Sequence, residues 1–303
     1  MDTGSIMVMH MDRICWDSIC DPSSRYEVAT VLRGDQWIFN YFMAARKNNP
    51  FIRRLNDLIL HLWKDRNNHK GVTHNALFGY LARMFPPSNT HTTEPQTGAG
   101  EHRQKPTGGM ALFDWKISMQ ELLDYAMQMA AWNRVALLED AGDGFSGSEY
   151  WTRHMLLLDF APETGMPMKM LGAAHNGGGR MLDLLSMKRH GGEQTQGRNS
   201  SEGGKEEQQQ QEADDRREAE RVVWETLAHS SMWKISHVKG LTHKPQLGSL
   251  LDATENTGKD QAPGTFMELL RYGTVHFRQK RQTPCLREAP CPEFTLKTGL
   301  LEA

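Results

Sequence analysis

Between Ala44 and Gly71 the chain reads AARKNNPFIRRLNDLILHLWKDRNNHKG. Phe51, Ile52, Leu55, Leu58, Ile59 and Leu62 recur at the i, i+3, i+4, i+7 spacing, which lines one face of an α-helix. Asn49 suits the cap position, and Pro50 suits the first helical position, where its missing N–H costs nothing. Arg53, Arg54, Asp57 and Lys64 take the opposite face. Burying each apolar side chain is worth about 1.5–3 kcal/mol. A chain carrying this segment must therefore fold around a core that includes it.

Length and charge bound the rest. At 303 residues, with 38% apolar and 24% charged residues, there is ample material for a globular core. The net charge of −2 gives no general attraction to nucleic acid or acidic lipid, so a charged partner has to be met by a local patch. The basic run His276 to Arg281 is too short to read as a nucleic-acid site and is expected to be an exposed strand. No run approaches the roughly 18 apolar residues of a membrane span, so the chain as given is expected to be soluble.

Short strands and longer helices alternate. Ser5 to Met9 and Tyr26 to Val31, the latter rich in β-branched and aromatic residues, predict strands. Asp35 is expected to cap a helix carrying Trp37, Ile38, Tyr41, Phe42 and Ala45. Ser118 with Glu121 makes a capping box ahead of a long helix to about Glu139, and Gly142, Gly144 and Gly147 follow it as a turn region. A helix over Ala219 to about Ile235, and late strands over Thr274 to Gln279 and Phe294 to Lys297, complete the pattern. Residues 88–109, rich in Thr, Gly, Pro and Gln, read as a disordered loop. Residues 190–216 read as a low-complexity disordered insertion, since they offer almost nothing apolar to offset the entropy of ordering. The remainder is expected to be one domain, 1–303.

Several motifs that often carry chemistry do not point to it here. Cys15, Cys20, Cys285 and Cys291 form two close pairs whose spacing is not that of a zinc site, so structural or free thiols are expected. His229, His237 and His243 lack an i, i+4 pair. Asn176-Gly177-Gly178-Gly179-Arg180 opens a helix over Met181 to Lys188, but without a P-loop lysine it reads as a flexible lead-in.

The wording of the segments adds to their spacing. Asn40-Tyr41-Phe42-Met43 with the helix after it, Asp124-Tyr125-Ala126, Leu138 to Phe145, Lys239 to His243, and Pro263-Gly264-Thr265-Phe266 through Arg278 resemble fungal members of the capsular polysaccharide synthesis protein family. That family looks like glycosyltransferases of GT-A type. The resemblance implies an α/β fold, the C-terminal portion of a GT-A-like nucleotide-diphospho-sugar transferase with large helical additions. Its Gly-Gly-x-Trp-Met-Asp-Thr segment would align with Met1-Asp2-Thr3, which implies a chain truncated at its N-terminus and short of its nucleotide-binding half.

The resemblance also suggests roles. Asp2 stands where an acidic group would meet a divalent metal, Mn or Mg, because hard cations that neutralise a leaving diphosphate choose carboxylate oxygen. Where many sugar transferases carry a second Asp, this chain has Gly4. His276 matches the late polar group that returns to the diphosphate, and Arg278, two residues on, would share its strand face. Asp140 and Asp143 are candidate general bases if the reaction inverts configuration. The implied partners are a nucleotide-sugar donor and a glycan acceptor, with no nucleic acid and no membrane segment. A Golgi or secretory location would follow for a full-length protein. Set against transfer stands a noncatalytic fragment or pseudoenzyme that retains only the acceptor-side half.

Overall fold

The computed structural model describes residues 4–34, 37–85, 114–171, 177–190, 202–238 and 240–303. Its strands are β1 (Ser5–Met7), β2 (Val28–Arg33), β3 (Trp37–Ala45), β4 (Met155–Asp159), β5 (Met232–Lys234) and β6 (Leu286–Arg287). The helices used below are α1 (Pro50–Trp63), α2 (Met119–Tyr125), α3 (Met127–Leu137), α4 (Gly147–His154), α5 (Gly179–Ser186), α6 (Glu202–His229) and α7 (Phe266–His276). The fold is mixed α/β with open sheets, in the order β1-β5 and β3-β2-β4-β6. Where the sequence suggested one domain, the contacts gather into two compact units. One comprises Met1–Asp17, Leu112–Asp114 and Leu158–Leu286, the other Ser18–Ala111, Trp115–Leu157 and Arg287–Ala303.

The second unit is built on α1. Asn49 accepts from the amides of Phe51 and Ile52, each at 3.1 Å, and Phe51, Leu55, Leu58 and Leu62 are buried. Phe51 packs against Trp132 of α3 with ring centroids 4.7 Å apart. The Asn49 amide donates to the Tyr150 hydroxyl at 2.5 Å, which donates in turn to Glu27 at 2.6 Å. The capping box holds, with the Glu121 amide donating to Ser118 Oγ and the Ser118 amide to the Glu121 carboxylate.

Several expectations are corrected. The segment after residue 36 is not a helix capped by Asp35, which lies outside the described residues, but strand β3. Its register on β2 jumps from Thr30↔Met43 to Val31↔Phe39. The bulge over residues 40–42 turns plain alternation into the paired burial of Trp37, Ile38, Tyr41 and Phe42, which imitates a helical period. The long helix from Ser118 bends at Ala126 and stops at Leu137. There Leu296 takes over the backbone: its amide donates to Leu137 O at 2.7 Å and its carbonyl accepts from the Glu139 amide at 2.9 Å. The late strand over Phe294 to Lys297 is thereby reduced to a single bridge, Leu138↔Leu296.

The first unit supplies the remaining corrections. Helix α6 starts at Glu202, so the stretch from there to 216 is helical and not disordered; residues 191–201, like 88–109, lie outside the described residues. Its polar residues support one another at helical spacing, Gln211 with Asp215 and Arg216 with Glu212, and Arg180 of α5 clamps Asp215 and Glu218. The helix ends at His229, and Met232–Lys234 pairs with β1 as β5. Thr274 to His276 belong to α7, not to a strand. Thr265 caps this helix, accepting from the Glu268 amide at 3.2 Å, and Phe266, Met267, Leu270 and Gly273 bury themselves at helical intervals.

The glycine run before α5 serves packing. A Cβ on Gly178 would lie 2.1 Å from the Leu247 amide nitrogen, so the backbones meet where a phosphate cradle would need open space. None of the four cysteines forms a disulfide. Among the described residues no helix is long and apolar enough to cross a membrane.

Candidate active site

A concavity of about 700 Å³ lies wholly within the first unit. One wall is the chain after β1. The amides of Val8 and Met9 both donate to Ser231 O, at 2.9 and 3.0 Å, and the chain then turns into a π-helical segment over Asp12–Trp16. Such turns are rare and gather at functional sites. Ile14 and Cys15 anchor it by burial, leaving His10, Asp12 and Asp17 exposed. His10 Nδ1 stands 3.1 Å from Asp12 Oδ2. The Asp12 amide donates to the same Nδ1 at 3.4 Å, so the tautomer with its proton on Nδ1 and a lone pair on Nε2 exchanges that bond for one to the carboxylate.

The other wall is the end of α7 and the residues after it, including Val275, Phe277, Arg278 and Gln279. Gln279 is buried and donates to Ser230 O at 2.5 Å, while Arg13 reaches back to Gln279 O at 3.4 Å. Glu163, bonded to Ser231, is 0% exposed. It accepts from Arg281 through both oxygens, from the Ser231 hydroxyl and, at 2.6 Å, from the Cys285 amide. Burial, with the Asp159 and Glu163 carboxylates, pushes the Cys285 thiol up.

The candidates read from the sequence are distributed unevenly. Asp2 lies outside the described residues. Gly4, in place of a second acid, has a packing reason: a Cβ there would meet Ile235 O and Lys234 Nζ, each at 2.8 Å. Arg278 lines the cleft and His276 does not; as the last residue of α7 it is exposed and lies at a tilt against Tyr272, with centroids 4.1 Å apart. With helix replacing strand, the shared-face argument for His276 and Arg278 falls away.

Asp140 and Asp143 belong to the second unit, whereas the cleft is lined by the first. Asp140 accepts from the amides of Gly142 and Gly144 at 2.8 and 2.9 Å, and these bonds hold its carboxyl below the usual range. Asp143 pairs with Arg54, whose guanidinium lies 4.0 Å from the Phe145 ring centroid. Both acids organise their loop. The reading from sequence missed His10, Asp12, Arg13 and Asp17, although a His-Met-Asp-Arg run directly after a strand was the available signal. Among the described residues no three His, Cys, Asp or Glu side chains gather as cation ligands.

The whole chain is related to fungal proteins named as sugar transferases. It is 37% identical to the probable glycosyltransferase FCK3 of Fusarium pseudograminearum, over 100% of this chain and 66% of that protein. It is 31% identical to the O-glycosyltransferase braB of Annulohypoxylon truncatum, over 100% and 64%, and 27% identical to the O-glycosyltransferase PaGT of Phomopsis amygdali, over 93% and 60%. The chain thus spans somewhat less than two thirds of the length of these relatives. No family model and no solved structure matches it.

Proposed function

We propose that this chain is part of a glycosyltransferase of the capsular polysaccharide synthesis type, with a GT-A-like fold. It would move a sugar from a nucleotide donor to a hydroxyl on a glycan acceptor. The observation that carries the proposal is similarity along the full chain to proteins named glycosyltransferases. In this reading Arg278 and Arg13 offer cationic donors to the diphosphate. Asp2 remains the residue proposed to meet a divalent cation, Mn or Mg.

His10 takes the proton role for which Asp140 and Asp143 were candidates. As the acceptor oxygen forms its bond to the anomeric carbon, the bond from that carbon to the phosphate oxygen breaks, the nucleoside diphosphate departs, and His10 Nε2 takes the hydroxyl proton. Asp12 orients the ring and steadies its positive charge.

The test is incubation with labelled UDP-glucose, UDP-galactose or GDP-mannose and manganese, reading nucleoside diphosphate release and calorimetric binding. Release that falls by about 10²–10⁴ in His10→Gln, with donor binding intact, is the expected outcome. The alternative is a noncatalytic chain that binds donor or glycan without turnover. Binding without release would select it. Silence in both measurements would overturn both.

A further inference from the structure

A second concavity, about 250 Å³, lies wholly within the second unit. Its walls come from Met84 at the end of the short helix Leu81–Met84, from Leu137 of α3 and Trp151 of α4, and from Pro290, Pro292 and Phe294 in the segment that follows β6. That segment is pinned where it passes the helices. The Trp151 indole N–H donates to Pro290 O at 3.0 Å, the Leu296 amide donates to Leu137 O at 2.7 Å, and the Arg83 guanidinium lies 3.8 Å from the Phe294 ring centroid. The two prolines, with φ fixed by their rings, stiffen it further. The hollow is therefore preformed, as small-molecule sites usually are.

One polar group in the wall is left over. Asn133 of α3 is 5% exposed and lines the hollow, and its Nδ2 is buried with no hydrogen-bond partner among the described residues. Buried amide donors are almost always satisfied, so one that is not marks the place of an acceptor. A water there would need several polar partners, and the other polar side chains in the wall, Cys291 and Glu293, are exposed. Among the described residues no cationic side chain lines the hollow, and Glu293 is an acid, which disfavours a carboxylate ligand. Trp151, Phe294 and Met84 offer ring faces and a thioether that suit an aromatic ring. The volume exceeds the roughly 150 Å³ of a cavity that takes up benzene and falls below the roughly 300 Å³ of the smallest drug-sized sites, so it has room for a single ring with one substituent.

We propose that this hollow binds a small neutral molecule, one aromatic ring bearing a carbonyl group, with the carbonyl oxygen accepting from Asn133 Nδ2 and the ring packed against Trp151 and Phe294. Binding here is independent of sugar transfer, since the lining residues all belong to the second unit and those of the cleft to the first.

Benzamide supplies such a group, and toluene matches its ring without the acceptor. Calorimetry and saturation-transfer NMR of the full chain with each probe at millimolar concentration test the site. We expect benzamide to bind about tenfold more tightly than toluene. Asn133→Leu, which keeps the volume and removes the donor, should abolish that preference while toluene binding persists. Cys291→Trp, at an exposed position in the wall, should fill the hollow and abolish binding of both probes. A chain that binds neither probe, binds toluene as well as benzamide, keeps its preference in Asn133→Leu, or binds as well after Cys291→Trp overturns the proposal. Should Asn133→Leu fail to fold, the Cys291→Trp result and the parent's preference for benzamide decide it alone.

Discussion

Asp124 is the residue whose replacement should be felt most for its size. Its carboxylate is almost fully buried and accepts from the Gly71 amide at 2.6 Å, the Thr73 amide at 3.0 Å, the Thr73 hydroxyl and, at 3.4 Å, Gln120. Burial pushes its pKa upward, but the bonds from Thr73, Gly71 and Gln120 outweigh that and leave it below the usual carboxylate value. In Asp124→Asn the oxygen can still serve Thr73, while the new NH₂ faces the Gly71 amide. One buried donor is stranded, at about 1–3 kcal/mol, and the surviving bonds lose their ionic character, so the sum is about 2–4 kcal/mol. Read as hydrogen exchange of the Gly71 and Thr73 amides, this is a loss of protection of about 30- to 1,000-fold. The pH dependence follows from the sign of the shift. A depressed carboxylate contributes fully above its unfolded value of about 3.9 and loses that contribution as pH falls through the lower folded one. Urea midpoints of parent and Asn variant should differ by a constant amount near neutrality and converge below about pH 4. Unchanged exchange at both amides, or a gap that widens in acid, would refute the reasoning.

Three further outcomes are expected. Asn49→Ala should cost about 1–2 kcal/mol in urea unfolding, since it strips the cap from α1. Gly147→Ala should lower stability by about 3 kcal/mol or more, because its Cβ would sit 1.7 Å from Val135 O, and a soluble variant with an unshifted midpoint would contradict the packing. Arg278→Ala should weaken nucleoside diphosphate binding about 10- to 100-fold in calorimetry while leaving the melting temperature near that of the parent.

How far the fold was legible depends on whether local chemistry or distant partners decided each element. Asn49, Pro50 and the apolar stripe behind them specify α1 without outside help, and Ser118 with Glu121 does the same for the start of α2. At β3 the bulge over 40–42 disguised a strand as a helix, a pairing effect that no window of the sequence contains. Thr274 to His276 looked like a strand because Val275 and Phe277 are apolar, yet the deciding residue was Thr265, a cap nine positions upstream. The cleft was harder still. His10 and Asp12 gain meaning only from the π-helical turn that sets them side by side and from α7 opposite, and Asp140 and Asp143 look reactive until their hydrogen bonds are traced back into their own loop.

Arg134 has a consequence for the packing of α3. Buried at 2% exposure, it donates to Leu77 O at 2.8 Å, Leu300 O at 3.0 Å, Gly299 O at 2.9 Å and Glu302 O, so its charge is solvated by peptide carbonyls in place of a carboxylate. Most of those oxygens belong to residues 299–302, and burial already lowers its pKa. Without residues 299–302 the guanidinium would keep only Leu77 O of these four carbonyls, so the register of that short segment helps hold α3 in its unit.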